Sequence, residues 1–222
     1  MKQTVKNFLS RIFPRLLFAS QVYRYTRSSS SYYVKTGYLR SIIEGKPVDK
    51  DGSPIPWMNY CIVKFLKEKL NKNMSLFEYG SGFSTRFYAQ NVKSVVSVEH
   101  DKKWFAMLKE DTPANCKALY AEYNQELMGG EYSQTVKKLN EKFDIIVVDG
   151  RDRVNCVSNS INALTKEGVI ILDDSSRERY GETFDLMRSA GFKSLTFSGL
   201  KFGGGKESCT TIFYRDENCL EI

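Results

Sequence analysis

A chain of 222 residues has room for one domain and an extension, and a hydrophobic fraction of 41% is sufficient for a buried core. The formal charge of +7 is concentrated at the N-terminus, where residues 1–50 hold ten basic and two acidic residues, so the remainder is near neutral. A near-neutral body argues against a broad nucleic-acid-binding surface, and the basic arm indicates either an acidic contact or a solvated face.

The five cysteines are odd in number and include no Cys-x-x-Cys pair. This pattern excludes a disulfide framework and a cysteine zinc site, and it is typical of reduced thiols in a cytoplasmic protein. No stretch reaches the ~18 apolar residues that a membrane span needs. The apolar segment 8–20 resembles a signal sequence but is interrupted by Arg11, Pro14 and Arg15, so we expect it to remain uncleaved.

Residues 1–55 are predicted to form a basic helical extension. Apolar side chains recur at helical spacing over residues 4–18, where Pro14 is expected to split the helix or to begin a second one. The serines at 28–31 indicate a loop. We expect this arm either to cover the substrate side of the main domain or to lie peripherally on a membrane surface.

Residues 56–222 are predicted to form the main domain, because strands and helices alternate there after a first helix over 57–70. The predicted strands lie at 75–79, 94–99, 116–120, 143–148, 169–172, 194–198 and 210–214. The predicted helices lie at 84–91, 102–110, 154–164 and 180–190. The alternation predicts an α/β, Rossmann-like, doubly wound seven-stranded sheet, and the last two strands must pair antiparallel because no helix separates them.

A glycine-containing loop follows the first predicted strand, and an acidic residue, Glu99, ends the second. Gly80 and Gly82 permit a tight turn and close approach of a ligand, while Ser84 or Thr85 caps the next helix. A carboxylate at Glu99 can accept hydrogen bonds from both hydroxyls of a ribose. The cofactor-binding candidates, at the ends of the first, second and fourth strands, are Glu78, Tyr79, Gly80, Ser81, Gly82, Ser84, Thr85, Glu99, His100 and Asp149.

Two ligands and a ligand-free glycine turn are compatible with this loop. A nicotinamide dinucleotide is disfavoured because Thr85 replaces the third glycine of its motif, and because Glu78 would face a pyrophosphate. S-adenosylmethionine (SAM) suits the acidic surroundings better, since it carries an ammonium and a sulfonium. The order of Glu78, the two glycines and Glu99 favours a SAM site over a turn without a ligand.

On these motifs, residues 75–216 resemble the class I SAM-dependent methyltransferases, a resemblance that implies a seven-stranded sheet with an antiparallel last strand. Several runs are similar to small bacterial methyltransferases associated with surface-polysaccharide gene clusters. These runs are Pro56-Trp57, Phe77-Glu78-Tyr79-Gly80-Ser81-Gly82, Ser97-Val98-Glu99-His100-Asp101, Val148-Asp149-Gly150-Arg151 and Thr210-Thr211-Ile212-Phe213-Tyr214-Arg215.

Acceptor-side residues should follow the fourth and fifth strands. Asp149 and Asp173 are the candidate catalytic groups, and the candidate substrate contacts are Arg151, Arg153 and Asp174. Alternatively, these acids cap the following helices and the arginines neutralise them. The resemblance extends to catechol-type enzymes, which implies that Asp149, Asp173 and Asp174 hold a divalent cation; metal-free base catalysis by Asp149 is favoured over this alternative.

We expect an O-methyltransferase that acts on a small molecule or a glycan hydroxyl. A nucleic-acid methyltransferase would carry a motif such as Asn-Pro-Pro-Tyr after the fourth strand, where this chain has Asp149-Gly150-Arg151. A nonenzymatic SAM-fold module at a membrane complex is a third alternative, and the intact acidic residues disfavour it. The loop over residues 199–208, with Lys201 and Lys206, is a candidate mobile rim over the acceptor or a plain hairpin loop.

Overall fold

The computed structural model describes residues 13–126, 129–203 and 205–222. The chain divides into two compact units, Met1–Ser53 and Pro54–Ile222. Among the described residues, no helix combines the length and apolar character needed to cross a bilayer.

The N-terminal unit is helical, as expected of the arm. Its helices are α1 (Pro14–Arg27), α2 (Tyr32–Lys35) and α3 (Tyr38–Glu44). Helix α1 begins at the proline, which fits the first turn because that position needs no backbone donor. The predicted helical residues before Phe13 lie outside the described residues. The Ser41 hydroxyl binds both the backbone nitrogen (3.0 Å) and the carbonyl (2.8 Å) of Val48, and so ties α3 to the segment that follows.

The second unit contains a seven-stranded sheet of order β3-β2-β1-β4-β5-β7-β6. The strands are β1 (Ser75–Tyr79), β2 (Ser94–Glu99), β3 (Cys116–Tyr120), β4 (Phe143–Val148), β5 (Leu164–Asp173), β6 (Lys193–Leu200) and β7 (Glu207–Tyr214). Strand β7 pairs antiparallel with both β5 and β6, whereas the pairs among β1 to β5 are parallel. The predicted Rossmann-like fold class is therefore confirmed, including the antiparallel last strand.

Six helices of this unit connect the strands or precede the sheet. They are α4 (Tyr60–Lys69), α5 (Phe83–Asn91), α6 (Lys102–Lys109), α7 (Glu131–Lys138), α8 (Arg153–Ser160) and α9 (Gly181–Ser189). Helix α7 replaces what the sequence indicated to be an irregular stretch. Its buried face includes Ser133 and Thr135 beside Tyr132 and Val136, so polar residues conceal the apolar period that would have predicted it.

The predicted helix over 154–164 was too long at its C-terminal end. Helix α8 ends at Ser160, and Leu164 already pairs with Phe143 as part of β5. Gly168 lies inside this strand. A Cβ there would be 2.9 Å from the Leu164 side chain and 3.0 Å from the Phe143 carbonyl oxygen, so glycine permits close packing of β5 on β4.

A buried hydrophobic cluster lies on the side of the sheet that packs against α7, α8 and α9. Strands β1 and β4 are fully buried along most of their length, as their apolar runs predicted. Tyr79 belongs to this core, where its hydroxyl donates to the Ser133 carbonyl oxygen at 2.7 Å. Packing in this core therefore fixes where the C-terminal ends of β1 and β4 lie relative to each other.

Asn59 connects α4 to the β6–β7 hairpin. Its Oδ1 caps the helix by accepting from the Ile62 nitrogen at 3.1 Å, so α4 starts at Tyr60 and not at the predicted Trp57. Its Nδ2 donates to the Phe197 carbonyl and to the Thr210 hydroxyl, both at 3.1 Å.

We predict that Asn59→Ala lowers the free energy of unfolding by about 2–4 kcal/mol, because a cap and two buried hydrogen bonds are lost together. Asn59→Asp keeps the cap but loses the donor, so it should fall between the wild type and Asn59→Ala. The exposed Asn162→Ala serves as the control. Urea unfolding followed by circular dichroism measures all four proteins, and equal stability of wild type and Asn59→Ala would contradict the assigned role.

Candidate functional site

The loop between β1 and α5 turns at Gly80, which has φ 94°. A Cβ at this position would be 2.9 Å from the carbonyl oxygen of Asp149, so only glycine lets the end of β1 lie this close to the end of β4. The Gly80 nitrogen donates to the Val98 carbonyl at 2.9 Å. Gly82, by contrast, has open space within 4 Å of its would-be Cβ, as a backbone that admits a ligand requires.

Ser81 joins this loop to β2 and α6. Its nitrogen donates to Glu99 Oε2 at 3.0 Å, and its hydroxyl lies 2.6 Å from the Ser97 hydroxyl. Its carbonyl oxygen accepts from Trp104 Nε1 at 2.8 Å. The loop is therefore held from two sides before any ligand binds, which reduces the entropy lost on binding.

Glu78 supports the loop from beneath. It is fully buried, and its Oε2 accepts from the Thr85 hydroxyl at 2.5 Å and from the Ser97 hydroxyl at 2.9 Å. The Thr85 oxygen in turn accepts from the Gly82 nitrogen at 2.9 Å. Burial raises the pKa of Glu78 to about 7 against the hydrogen bonds that lower it. The Glu78 and Tyr79 side chains, predicted as ligand contacts, thus lie inside the protein.

Glu99 is buried as well, at the end of β2 and next to His100. Its Oε1 accepts from the backbone nitrogens of His100 and Asp101, both at 2.8 Å, and lies 2.8 Å from His100 Nδ1. Burial raises the pKa of Glu99, but the hydrogen bonds from His100, Asp101 and Ser81 outweigh it and leave the pKa below its ordinary value. An ionised carboxylate whose Oε2 accepts a single N–H retains capacity for a ribose hydroxyl, so the residues present fit a nucleoside.

A cavity of about 560 Å³ opens beside Glu99. It is lined by residues that follow β2, β3, β4 and β5: His100, Tyr123, Gln125, Gly150, Arg151, Asp152, Arg153, Val154, Asn155, Arg177, Arg179, Tyr180 and Glu182. The His100 and Tyr123 rings meet edge to face at 5.9 Å. Arg151 Nε donates to His100 Nε2 at 3.4 Å, which places Arg151 on the nucleoside side and away from the acidic strand ends.

The ends of β4 and β5 are joined by one buried guanidinium. Arg153 Nη2 donates to Asp149 Oδ1 at 2.8 Å, Nη1 to the Asp173 carbonyl at 2.5 Å, and Nε to the Gly150 carbonyl at 3.0 Å. Arg153 therefore neutralises the strand ends, as the alternative interpretation of the arginines proposed, and is not an open clamp for a substrate. The two catalytic candidates, Asp149 and Asp173, are brought together by it.

The acids that follow these strands do not cap the next helices. Asp152 has φ 48° and makes no side-chain cap of α8; its carboxylate accepts from the Gly129 nitrogen and from Asn155 Nδ2, each at 2.7 Å. Asp174 has φ 50° and is paired with Arg177 and with Lys201. Sequence reasoning identified the acids but missed Lys201 as their partner, because the two are 27 residues apart.

A second cavity, of about 410 Å³, lies over the acidic strand ends. It is lined by Trp57, Asp149, Asp173, Asp174, Lys201, Phe202 and Gly203. Trp57 Nε1 donates to the Phe202 carbonyl at 2.6 Å, and the two rings lie 5.2 Å apart. The Trp57 ring thus holds the tip of the β6–β7 hairpin and forms an aromatic wall of the cavity.

The charges of this cavity are paired. Burial raises the pKa of Asp149 well above its ordinary value, with Asp173 adding to the rise, and burial likewise raises the pKa of Asp173. The pKa of Asp174 is lowered, because the hydrogen bond and charge of Lys201 outweigh its burial. Asp173 is 1% exposed and its Oδ1 accepts from the Thr210 hydroxyl at 2.6 Å, whereas Asp149 keeps a partly exposed side chain.

The residues expected to hold a divalent cation do not form a metal site. Within residues 13–126, 129–203 and 205–222, no group of three or more His, Cys, Asp or Glu is placed to hold a metal ion. Asp149 is engaged by Arg153, and Asp174 by Lys201 and Arg177. Protein cations therefore meet the oxygens that a metal would need, and the donor set does not fit the metal that the resemblance implied.

One family model matches part of the second unit. Residues 77–175 match the family model described as "Methyltransferase domain". This segment runs from β1 to the loop after β5 and includes the glycine loop, Glu99 and the three acids. A comparison with curated proteins finds no match.

Several solved structures share the fold. A precorrin 8W decarboxylase from Methanobacterium thermoautotrophicum is 18% identical, with a TM-score of 0.52 over 69% of this chain and 87% of that one. A precorrin-6y C5,15-methyltransferase from Geobacter metallireducens is 14% identical, with a TM-score of 0.52 over 69% and 86%. A putative rRNA-methylase from Clostridium thermocellum is 12% identical, with a TM-score of 0.52 over 70% and 94%.

We predict that Glu78→Gln removes a pH dependence of stability. Because the folded-state pKa of Glu78 is raised to about 7 from 4.5, the unfolded chain releases this proton first and stability falls as the pH rises. The loss is at most about 3 kcal/mol between about pH 5 and about pH 8. Urea unfolding across this range should show a smaller decline for Glu78→Gln than for wild type and for the exposed control Glu110→Gln; parallel curves would contradict the assignment.

Proposed function

We propose that the protein is a SAM-dependent methyltransferase that methylates the hydroxyl oxygen of a small molecule or a glycan. The observation that supports this proposal is the contact between the two halves of the site at Gly80. The glycine loop, which fits a nucleoside through Glu99, turns at Gly80, where a Cβ would be 2.9 Å from the carbonyl oxygen of Asp149, a residue that lines the acidic cavity. A methyl donor in the loop and an acceptor in the cavity would therefore be neighbours.

Asp149 is the group best placed to take the acceptor proton. When bound, the sulfonium cofactor supplies a methyl group that is open to in-line displacement. The acceptor oxygen forms the new C–O bond, its proton passes to Asp149, and the breaking C–S bond leaves its electron pair on sulfur. A carboxylate with a raised pKa is the stronger base, and the side chain of Asp149 remains partly exposed while Oδ1 is oriented by Arg153. Asp173, enclosed by Thr210 and Arg153, acts as a positioning residue.

An oxygen acceptor fits the cavity better than a nucleic acid does. The second unit carries little net charge, whereas binding of a polyphosphate backbone requires a cluster of unpaired basic side chains. In the acidic cavity Lys201 is paired with Asp174, and Arg153 is buried between Asp149 and Asp173. An uncharged hydroxylated ring could pack against Trp57 in this cavity and place one hydroxyl at Asp149. Such a ligand needs no unpaired basic side chain.

We predict that the wild-type protein binds SAM and S-adenosylhomocysteine, and that Glu99→Ala weakens this binding by about 1–3 kcal/mol, since the ribose hydroxyls and the Ser81 nitrogen lose their acceptor. Glu99→Gln should have an intermediate effect. Isothermal titration calorimetry measures each variant, with Glu110→Ala as an exposed control. An absence of heat with the wild type and both ligands would refute the proposed function.

We also propose that this cytoplasmic enzyme contacts membranes through its N-terminal unit. Helix α1 has no buried residue, and its exposed side chains include Leu16 (67%), Phe18 (68%), Tyr23 (64%) and Tyr25 (65%). Its charged residues are all basic, as a contact with an anionic lipid surface requires.

We predict that the full chain sediments with vesicles that contain anionic phospholipid and remains soluble with neutral ones. The double variant Arg24→Glu/Arg27→Glu should lose most of this binding, because each basic residue near the surface contributes about 1 kcal/mol. Lys166→Glu/Lys142→Glu, in the second unit, is the charge-matched control. Equal sedimentation of the two double variants would show that α1 is not the contact.

A further inference from the structure

The tip of the β6–β7 hairpin places one lysine, Lys201, at the edge of the acidic cavity of about 410 Å³. Lys201 Nζ donates to Asp174 Oδ1 at 2.6 Å and lies 3.8 Å from Asp173 Oδ2. Its side chain is 23% exposed, so the ammonium is held by carboxylates on one side and borders the cavity on the other. An ammonium has three donors, and two carboxylates at these distances leave one for another oxygen.

The hairpin tip is fixed at several points and does not depend on the lysine alone. Trp57 binds the Phe202 carbonyl, and Asn59 binds the Phe197 carbonyl. Gly203 has φ 77°, and a Cβ there would be 3.3 Å from the Trp57 ring. Contacts with residues far away in sequence thus hold the Lys201 ammonium at the strand ends. A solvated surface lysine would not need such contacts.

The charges around the cavity balance only if Lys201 is included. Three carboxylates, those of Asp149, Asp173 and Asp174, meet the cations of Arg153, Arg177 and Lys201. Arg153 lies beneath the carboxylates in the core, and Arg177 reaches Asp174 from the exposed side. Of the three, Lys201 is the one that lines the cavity.

We propose, on the basis of the proposed function, that Lys201 is the cation of the acceptor site, in the place where the resemblance predicted a divalent metal. Its free N–H binds the acceptor oxygen while Asp149 takes the proton, and the ammonium stays protonated throughout. A compact cation at this oxygen stabilises the negative charge that develops there before the methyl group arrives. The acceptor class that follows is an uncharged, hydroxylated ring compound, since the cavity is already neutral and has an aromatic wall.

Divalent cation binding tests this assignment without knowledge of the acceptor. Mn²⁺ is titrated into the full chain and free Mn²⁺ is measured by electron paramagnetic resonance. Removal of the ammonium leaves the three carboxylates facing only Arg153 and Arg177, and this excess negative charge favours binding of a hard cation. We expect Lys201→Ala and Lys201→Gln to bind one Mn²⁺ at least tenfold more tightly than wild type. Lys201→Arg and the neighbouring Lys206→Ala should behave as wild type does.

The double variant Lys201→Ala/Asp174→Asn should bind Mn²⁺ no more tightly than wild type. This result would assign the Mn²⁺ bound by Lys201→Ala to the acidic cavity. Two results would overturn the proposal. One is wild-type Mn²⁺ binding as tight as that of Lys201→Ala. The other is unchanged Mn²⁺ affinity in both Lys201→Ala and Lys201→Gln when their circular dichroism and melting temperatures match wild type. Binding of S-adenosylhomocysteine is measured on the same samples. It tests the proposed function separately, because Lys201 is not among the residues of the glycine loop, so its loss leaves that binding unchanged.

Discussion

The acceptor half of the site depends on the buried guanidinium of Arg153. Two carboxylates at adjacent strand ends would repel each other, and their burial without a counter-ion is costly. Arg153 removes this conflict, because its rigid donors bind the Asp149 carboxylate and the carbonyls of Gly150 and Asp173 at once. The ends of β4 and β5 can therefore lie side by side, where burial raises the pKa of the Asp149 carboxyl.

A chain of hydrogen bonds connects the end of β5 to the β6–β7 hairpin and to α4. Asp173 accepts from Thr210, Thr210 accepts from Asn59, and Asn59 also caps α4. The Lys201 ammonium then reaches Asp174 from the tip of the same hairpin. The start of α4, the end of β5 and the β6–β7 hairpin thus share one polar network, and the loss of one member leaves another polar group without its partner.

Much of the architecture was predictable from the sequence, because it depends on local patterns. The apolar runs of β1 and β4, the paired glycines and the acid at the end of β2 each act within a few residues. Helix α7 was missed because polar residues occupy part of its buried face. The protein contacts of Glu78 and Arg153 were not predictable for a different reason: both residue types suit a ligand, and only the tertiary structure shows which protein groups they bind.

Strands β6 and β7 have eight residues each. Their pairing is continuous from Lys193 and Tyr214 to Leu200 and Glu207, so Lys201, Phe202 and Gly203 follow the last strand pair. These residues line the acidic cavity, and they belong to a separate stretch of chain from the glycine loop. Related proteins could change acceptors through substitutions in a handful of hairpin residues while the cofactor half is inherited intact, so divergence of substrate range need not disturb folding.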